Sequence, residues 1–257
     1  MEYIVFDLEF NQGFDKTLNK TVSNERCPFE IIQIGAIKLD SNFNIIDTFN
    51  SYVKPEIYKG IHPFIGKMTG ITLKDVADAP SFPQAYKEFK RFISSKDPVL
   101  CVWGTGDLKE LYRNITYYNL PSKTLPKSYI NIQHYASIYF DNPAGRSIGL
   151  QNAIQILELN QDKSYHNALN DAFYTAQVFI RIYNPSIVPD VYIYTTVKSS
   201  TVEKSTKKQI NYDRLFEEFS KVLNRELSKE DKKIIDLAYK MGKTNQFLIN
   251  SNKCKKR

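Results

Sequence analysis

The chain has 257 residues, 42% hydrophobic and 13% aromatic, which suits one large domain with at most a small appendage and excludes wholesale disorder. Its net charge of +7 is uneven: residues 1–195 hold 19 Lys/Arg against 20 Asp/Glu and residues 196–257 hold 16 against 8, a footprint either for a polyanion or of a solvated basic tail. No apolar run approaches the roughly 18 residues of a membrane span, the N-terminus lacks a signal-peptide pattern, and the scattered Cys27, Cys101 and Cys254 fit reduced thiols, so a cytoplasmic protein with no membrane association is expected.

Tyr3 to Phe10 form an apolar run that reads as a strand, and it carries two acids, Asp7 and Glu9. Period-2 geometry puts both on one face. Either that face meets water at a strand end, or the pair binds a divalent cation that offsets burial and mutual repulsion. Residues 11–26 are polar and read as a loop. Residues 29–39 and 45–53 read as two more strands, separated by the turn residues Asp40-Ser41-Asn42-Phe43-Asn44, giving an antiparallel meander. Phe82, Tyr86, Phe89 and Phe92 recur at helical spacing. A short buried strand over 98–103, a helix over 108–118, a fifth strand over 129–132 and a short helix over 133–140 follow. Residues 150–157 read as a helix, and a strongly periodic helix opens near Tyr165 and lasts to Tyr183. Pro185 and Pro189 end it and mark a boundary. Two further helices are expected over 213–227 and 229–241, the second capped by Ser228 with Asp231 and stopped by Gly242. Gly242-Lys243-Thr244 is no phosphate loop, because Leu237 stands where its first glycine belongs.

Three further residues carry chemistry. Asp107 follows the Gly104-Thr105-Gly106 turn after the fourth strand, as a helix N-cap or as an acid beside the sheet. His166 and Asp171 are five apart, about 140° on a continuous helix. They can share a site only if His166 precedes the helix and Asp171 lies in its first turns. Ala168, Ala172 and Ala176 around Asp171 let that helix approach the sheet closely.

In order, Asp7-Leu8-Glu9, Asp107 and His166 with Asp171 resemble the motifs of the DEDDh branch of the DnaQ-like 3′–5′ exonuclease superfamily. The segments Glu30-Ile31-Ile32-Gln33-Ile34-Gly35-Ala36 and Met68-Thr69-Gly70-Ile71-Thr72 look like the subgroup of histone-mRNA 3′-end exonuclease and the sporulation kinase-pathway inhibitor. The resemblance implies an α/β, ribonuclease-H-like fold: a mixed five-stranded sheet flanked by helices, here with a basic, mostly helical C-terminal appendage. It implies an exonuclease domain over 1–184, a linker over 185–211 and the extension over 212–257.

The resemblance further implies two divalent cations, Mg²⁺ or Mn²⁺, about 4 Å apart. Asp7 would bridge them, Glu9 and Asp171 would complete the nucleophile-side ion, and Asp107 would hold the leaving-group-side ion. His166 would be the general base that deprotonates the attacking water. An imidazole, with an ordinary pKa of about 6.5, suits that task. Leu8, Phe10, Met68 and Thr69 match positions that contact the terminal nucleotide, although core packing explains Phe10 and Met68 equally well. The implied activity is hydrolysis of phosphodiester bonds from the 3′ end of single-stranded nucleic acid, RNA favoured, releasing nucleoside monophosphates. A DNA-directed repair or proofreading exonuclease and a regulatory interaction protein on a nuclease fold are the alternatives. No protein partner is implied.

Overall fold

The structure, a computed structural model, describes residues 1–143, 146–194 and 212–243. In chain order the elements are β1 (Glu2–Asn11), β2 (Gly13–Asp15), β3 (Lys20–Val22), β4 (Glu30–Leu39), β5 (Ile45–Tyr52), α1 (Pro63–Thr69), α2 (Leu73–Ala77), α3 (Phe82–Phe92), β6 (Pro98–Val102), α4 (Gly106–Tyr117), β7 (Ser128–Asn131), α5 (Ile132–Tyr139), α6 (Leu150–Ile156), α7 (Ala168–Ile182), β8 (Asp190–Val191), α8 (Tyr212–Leu223) and α9 (Lys229–Lys243).

The main sheet has the order β5-β4-β1-β6-β7-β8. The β1–β4 and β4–β5 pairs are antiparallel, as the short turn at Asp40 implies, whereas β6 and β7 run parallel to β1. Alternation along β1 divides the core into two layers. Tyr3 and Val5 meet Ala172, Ala176 and Phe179 of α7 on one face. Ile4, Phe6 and Leu8 meet Phe82 and Phe89 of α3 and Leu108 and Leu111 of α4 on the other. One β-bulge interrupts the β1–β4 register: Glu9 pairs with Gln33 but Phe10 with Ile31. The extra residue, Ile32, packs in a third cluster with Ile65 of α1 and with Ile71 and Val76.

The structure corrects four expectations. The sheet has six strands rather than five, because β8 pairs antiparallel with β7. A two-residue strand is too short to show alternation. The linker expected from 185 therefore starts later: the Tyr192 N–H donates to the Lys127 carbonyl at 2.8 Å, and the first compact unit is Met1–Thr195. The rest of that linker, 195–211, lies outside the described residues. The polar stretch 11–26 contains the β2–β3 hairpin. Finally, α9 runs through Gly242 to Lys243, since one glycine costs a helix only about 1 kcal/mol.

In the second unit α9 begins with a reciprocal capping box. The Ser228 N–H donates to Asp231 at 2.9 Å, and the Asp231 N–H donates to the Ser228 hydroxyl at 3.1 Å. Arg225 pairs with the same Asp231 at 2.7 Å. Among the described residues no helix is long and apolar enough to cross a membrane.

Candidate active site

Asp7 and Glu9 continue the Tyr3–Val5 face of β1, so they point toward the α7 layer. Glu9 is buried and Asp7 half-buried. Because β6 lies parallel to β1, with Cys101 opposite Val5, both strands run toward the same end of the sheet. There β6 gives way to Gly104, whose φ of 89° is left-handed and needs a residue without Cβ. The Gly104 N–H donates to Asn131 Oδ1 at 3.2 Å, and that oxygen also accepts from the His134 N–H at the cap of α5. The turn after β6 is thus tied to the end of β7. α4 follows with Thr105 as its N-cap and Asp107 in its first turn. Asp107 is therefore not the cap.

The other half of the site comes with α7. Gly35, opposite Asp7 in β4, lies beneath the start of this helix: a Cβ there would sit 2.1 Å from the Leu169 nitrogen and 2.2 Å from the Ala168 carbonyl carbon. Gln33, opposite Glu9, accepts from the Ala168 N–H at 3.2 Å and donates to Asn50 Oδ1 at 2.9 Å. These two residues seat the helix N-terminus directly over the acids. Asn167 is the N-cap, so His166 precedes the helix, in a left-handed conformation with φ 58°. The arrangement meets the condition that the His–Asp spacing imposed. The His166 N–H donates to Asp171 Oδ2 at 3.0 Å. One ligand atom from each of Glu9, His166 and Asp171 lies within 4.8 Å of the others.

The acids strain against one another. Burial, then the charges of Asp107, Asp171 and Glu9, hold the Asp7 carboxyl well above the usual range. Burial, reinforced by Asp171 and Asp107, pushes Glu9 up to about 8. Burial raises Asp107 to about 7, with Asp171 and Glu110 adding to it against a backbone N–H. Burial raises Asp171 to about 6 against the opposing His166 N–H and ring. Among the described residues, no Lys or Arg forms an ion pair with any of the four. Asp171 Oδ1 is buried with no hydrogen-bond partner. A repelling cluster of hard oxygen donors with an unsatisfied buried atom fits a hard divalent cation.

The positions matched to nucleotide contact behave unevenly. Leu8 is 4% exposed and packs in the α3–α4 layer, so its side chain belongs to the core and is not presented to a substrate. Phe10 is half-buried, edge-on to Phe29 at 6.1 Å. The Thr69 hydroxyl is engaged at the end of α1, donating to the Ile65 carbonyl at 2.9 Å and accepting from the Ile71 N–H at 3.1 Å. Met68 is exposed. Sequence reasoning missed Gln33, Gly35 and Asn131 as residues that position the site. A glycine inside an otherwise β-branched strand signals close backbone approach, and Gly35 carried that signal. Nothing in the sequence marked the partners of Gln33 or Asn131.

A family model described as Exonuclease matches residues 4–179. The 3'-5' exoribonuclease 1 of Rattus norvegicus is 26% identical over 163 residues, covering 60% of this chain and 46% of that protein. The chain thus spans under half the length of this relative. The probable 3'-5' exonuclease KapD of Bacillus subtilis is 23% identical over 150 residues, covering 58% of this chain and 71% of KapD. Among solved structures, the nuclease domain of 3'hExo, a DEDDh family member bound to rAMP, aligns with a TM-score of 0.63 at 22% identity. That alignment covers 76% of this chain and 97% of the domain, and it shows a shared fold. The family match begins in β1, just before Asp7, and ends in α7, just after Asp171, so it takes in every element that delivers an acid: the chain belongs to the Exonuclease family.

Proposed function

We propose that the protein is a metal-dependent 3′–5′ exonuclease that hydrolyses the terminal phosphodiester bond of single-stranded nucleic acid, RNA in preference to DNA, and releases nucleoside monophosphates. The convergence of Asp7, Glu9, Asp107 and Asp171 with His166 carries this reading. Asp7, Glu9, Asp107 and Asp171 would hold two divalent cations, which supply charge stabilisation for an in-line displacement at phosphorus. The left-handed backbone at His166 sets the imidazole beside Glu9 and Asp171 while leaving it exposed. There it takes the proton from the attacking water. Of the matched side chains, Phe10 and Met68 are accessible and not tied up by hydrogen bonds, as the Thr69 hydroxyl is, and stacking on an aromatic ring tolerates any base. The preference for RNA is supported by the exoribonuclease relatives.

The test uses RNA and DNA oligonucleotides labelled at either end, with Mg²⁺, Mn²⁺ or EDTA. Stepwise shortening from the 3′ end, faster on RNA, is expected, with arrest in EDTA. Asp7→Ala should lower the rate by more than about a hundredfold, the cost of removing one well-placed electrostatic group from a site. Activity untouched by Asp7→Ala would sink the mechanism, and faster cleavage of DNA would move the substrate to the DNA-directed alternative.

A further inference from the structure

At the far end of the sheet from the acids, the C-terminal turns of α3, the start of β6 and the chain before β7 border an open, shallow cleft of about 450 Å³. Lys87, Lys90 and Arg91 line it from α3, and no acid does. Among the described residues none of the three forms an ion pair. Lys90 has a soft contact, its ammonium standing 5.2 Å from the Tyr86 ring centre. Asp97, the adjoining acid, is turned away toward the N-terminal amine at 3.9 Å. Ser95 and Thr124 are among the lining residues, and Ser95 Oγ, just beneath the surface, is buried without a partner. Pro98 and Pro126 give it an apolar side.

Three cations without an anionic partner, an unsatisfied hydroxyl beneath them and an apolar side are the chemistry that a phosphate on a carbon framework meets. We propose that this cleft is a second, non-catalytic site for a phosphate-bearing ligand: the backbone of a nucleic-acid strand or a free nucleotide. It is distinct from the acid cluster. Pro98 is opposite Glu2, and Asp7 lies five residues further along β1, about 17 Å at the rise of a strand. The carbonyl end of α3 faces the cleft, and a helix dipole disfavours an anion there. The affinity therefore rests on the three side chains and is steeply salt-dependent.

The full chain is titrated in EDTA, which empties the acid cluster of cations and stops turnover. The ligands are AMP and an RNA of about 12 nucleotides, each at several salt concentrations. The triple variant Lys87→Ala/Lys90→Ala/Arg91→Ala is compared with the wild type, and Thr124→Glu serves as a second variant that adds repulsion instead of removing attraction. Matching thermal melts establish that both fold. For the ligand that occupies the cleft, the expected result is a loss of affinity of tenfold or more in both variants. For the RNA, the slope of log K against log salt should flatten in the triple by about 2, three contacts at about 0.7 each on a single strand. Loss for both ligands, or for AMP alone, assigns a nucleotide site, and loss for the RNA alone assigns a strand track. Unchanged affinity and slope for both overturn the proposal. The hydrolysis of a dinucleotide with Mg²⁺ should be the same in the triple and the wild type, which keeps a failure here separate from a failure of the exonuclease reading. A triple that loses dinucleotide hydrolysis would show that the cleft is not separate from the acid site and would likewise overturn the proposal.

Discussion

His166 is held in a backbone region that costs most residues about 1 kcal/mol or more, and the cost is offset by its N–H bond to Asp171. Backbone and ring therefore have separable tasks. Asparagine tolerates the left-handed region and keeps the N–H, but it cannot accept a proton at neutral pH. His166→Asn should fold normally and retain affinity for a short RNA while kcat falls roughly 10²–10⁴-fold, the usual worth of a general base. Steady-state kinetics with Mg²⁺ decide it: a variant within threefold of wild type removes the ring from proton transfer. The five residues of the cluster were legible in the sequence through their order and separations, which resemble an exonuclease motif set; taken singly, Asp107 reads at least as well as a helix cap. Adjacency to the acids does not decide which side of the strand the Leu8 side chain takes. Alternation puts it opposite both of them.

At the scale of elements, the site depends on how α7 meets β4. Gly35→Ala would place a methyl inside the backbone of Ala168 and Leu169, where the neighbour is main chain and cannot rotate away. Overpacking of this kind costs about 1–3 kcal/mol and sometimes more, and here it also lifts Asp171 and His166 away from Asp7 and Glu9. Gln33→Leu leaves the Ala168 N–H without its acceptor, at about 1–3 kcal/mol. Both variants should melt at lower temperature and lose activity together, as thermal melts and rate assays on the same preparations can show. An unchanged rate in Gly35→Ala would mean that the close approach of α7 to β4 is not what sets the position of Asp171. Long periodic elements such as β1, β4 and α7 were legible in the sequence. The β2–β3 hairpin, α1, α2 and β8 were not, for segments of two to seven residues give hydrophobic period too few turns to register.

For the whole molecule, the acid cluster makes folding and metal binding answer to pH. The folded values of Glu9, Asp107 and Asp171 are raised to about 8, 7 and 6, and those of the unfolded chain lie near 4. The cluster thus contributes stability below the unfolded value, and that contribution is lost as pH rises through the folded values. Cations compete with those protons. The rise in Tm on adding Mg²⁺ in excess should therefore be small near pH 5 and larger near pH 8, and weaker throughout in Asp7→Asn. Melting curves in EDTA and in Mg²⁺ across that range measure it, and a shift that shrinks with rising pH would contradict the assigned ligands. The change in charge density at residue 196 was legible in the sequence and coincides with the division between the compact units at Thr195. The prolines near 185 suggested an earlier end, because folding back is a tertiary fact: Tyr192 and Tyr194 lie against Tyr112 at 5.4 and 5.1 Å.

The single bulged residue in β4 has a further consequence. Ile32 turns toward α1, while Gln33 and Gly35, one and three positions on, turn toward α7. Two helices are thus gauged from one short ruler of backbone. Their spacing is locked by the phase of a strand, and a one-residue insertion or deletion between Ile32 and Gly35 would put that spacing out of step in a way that no side-chain repacking could restore.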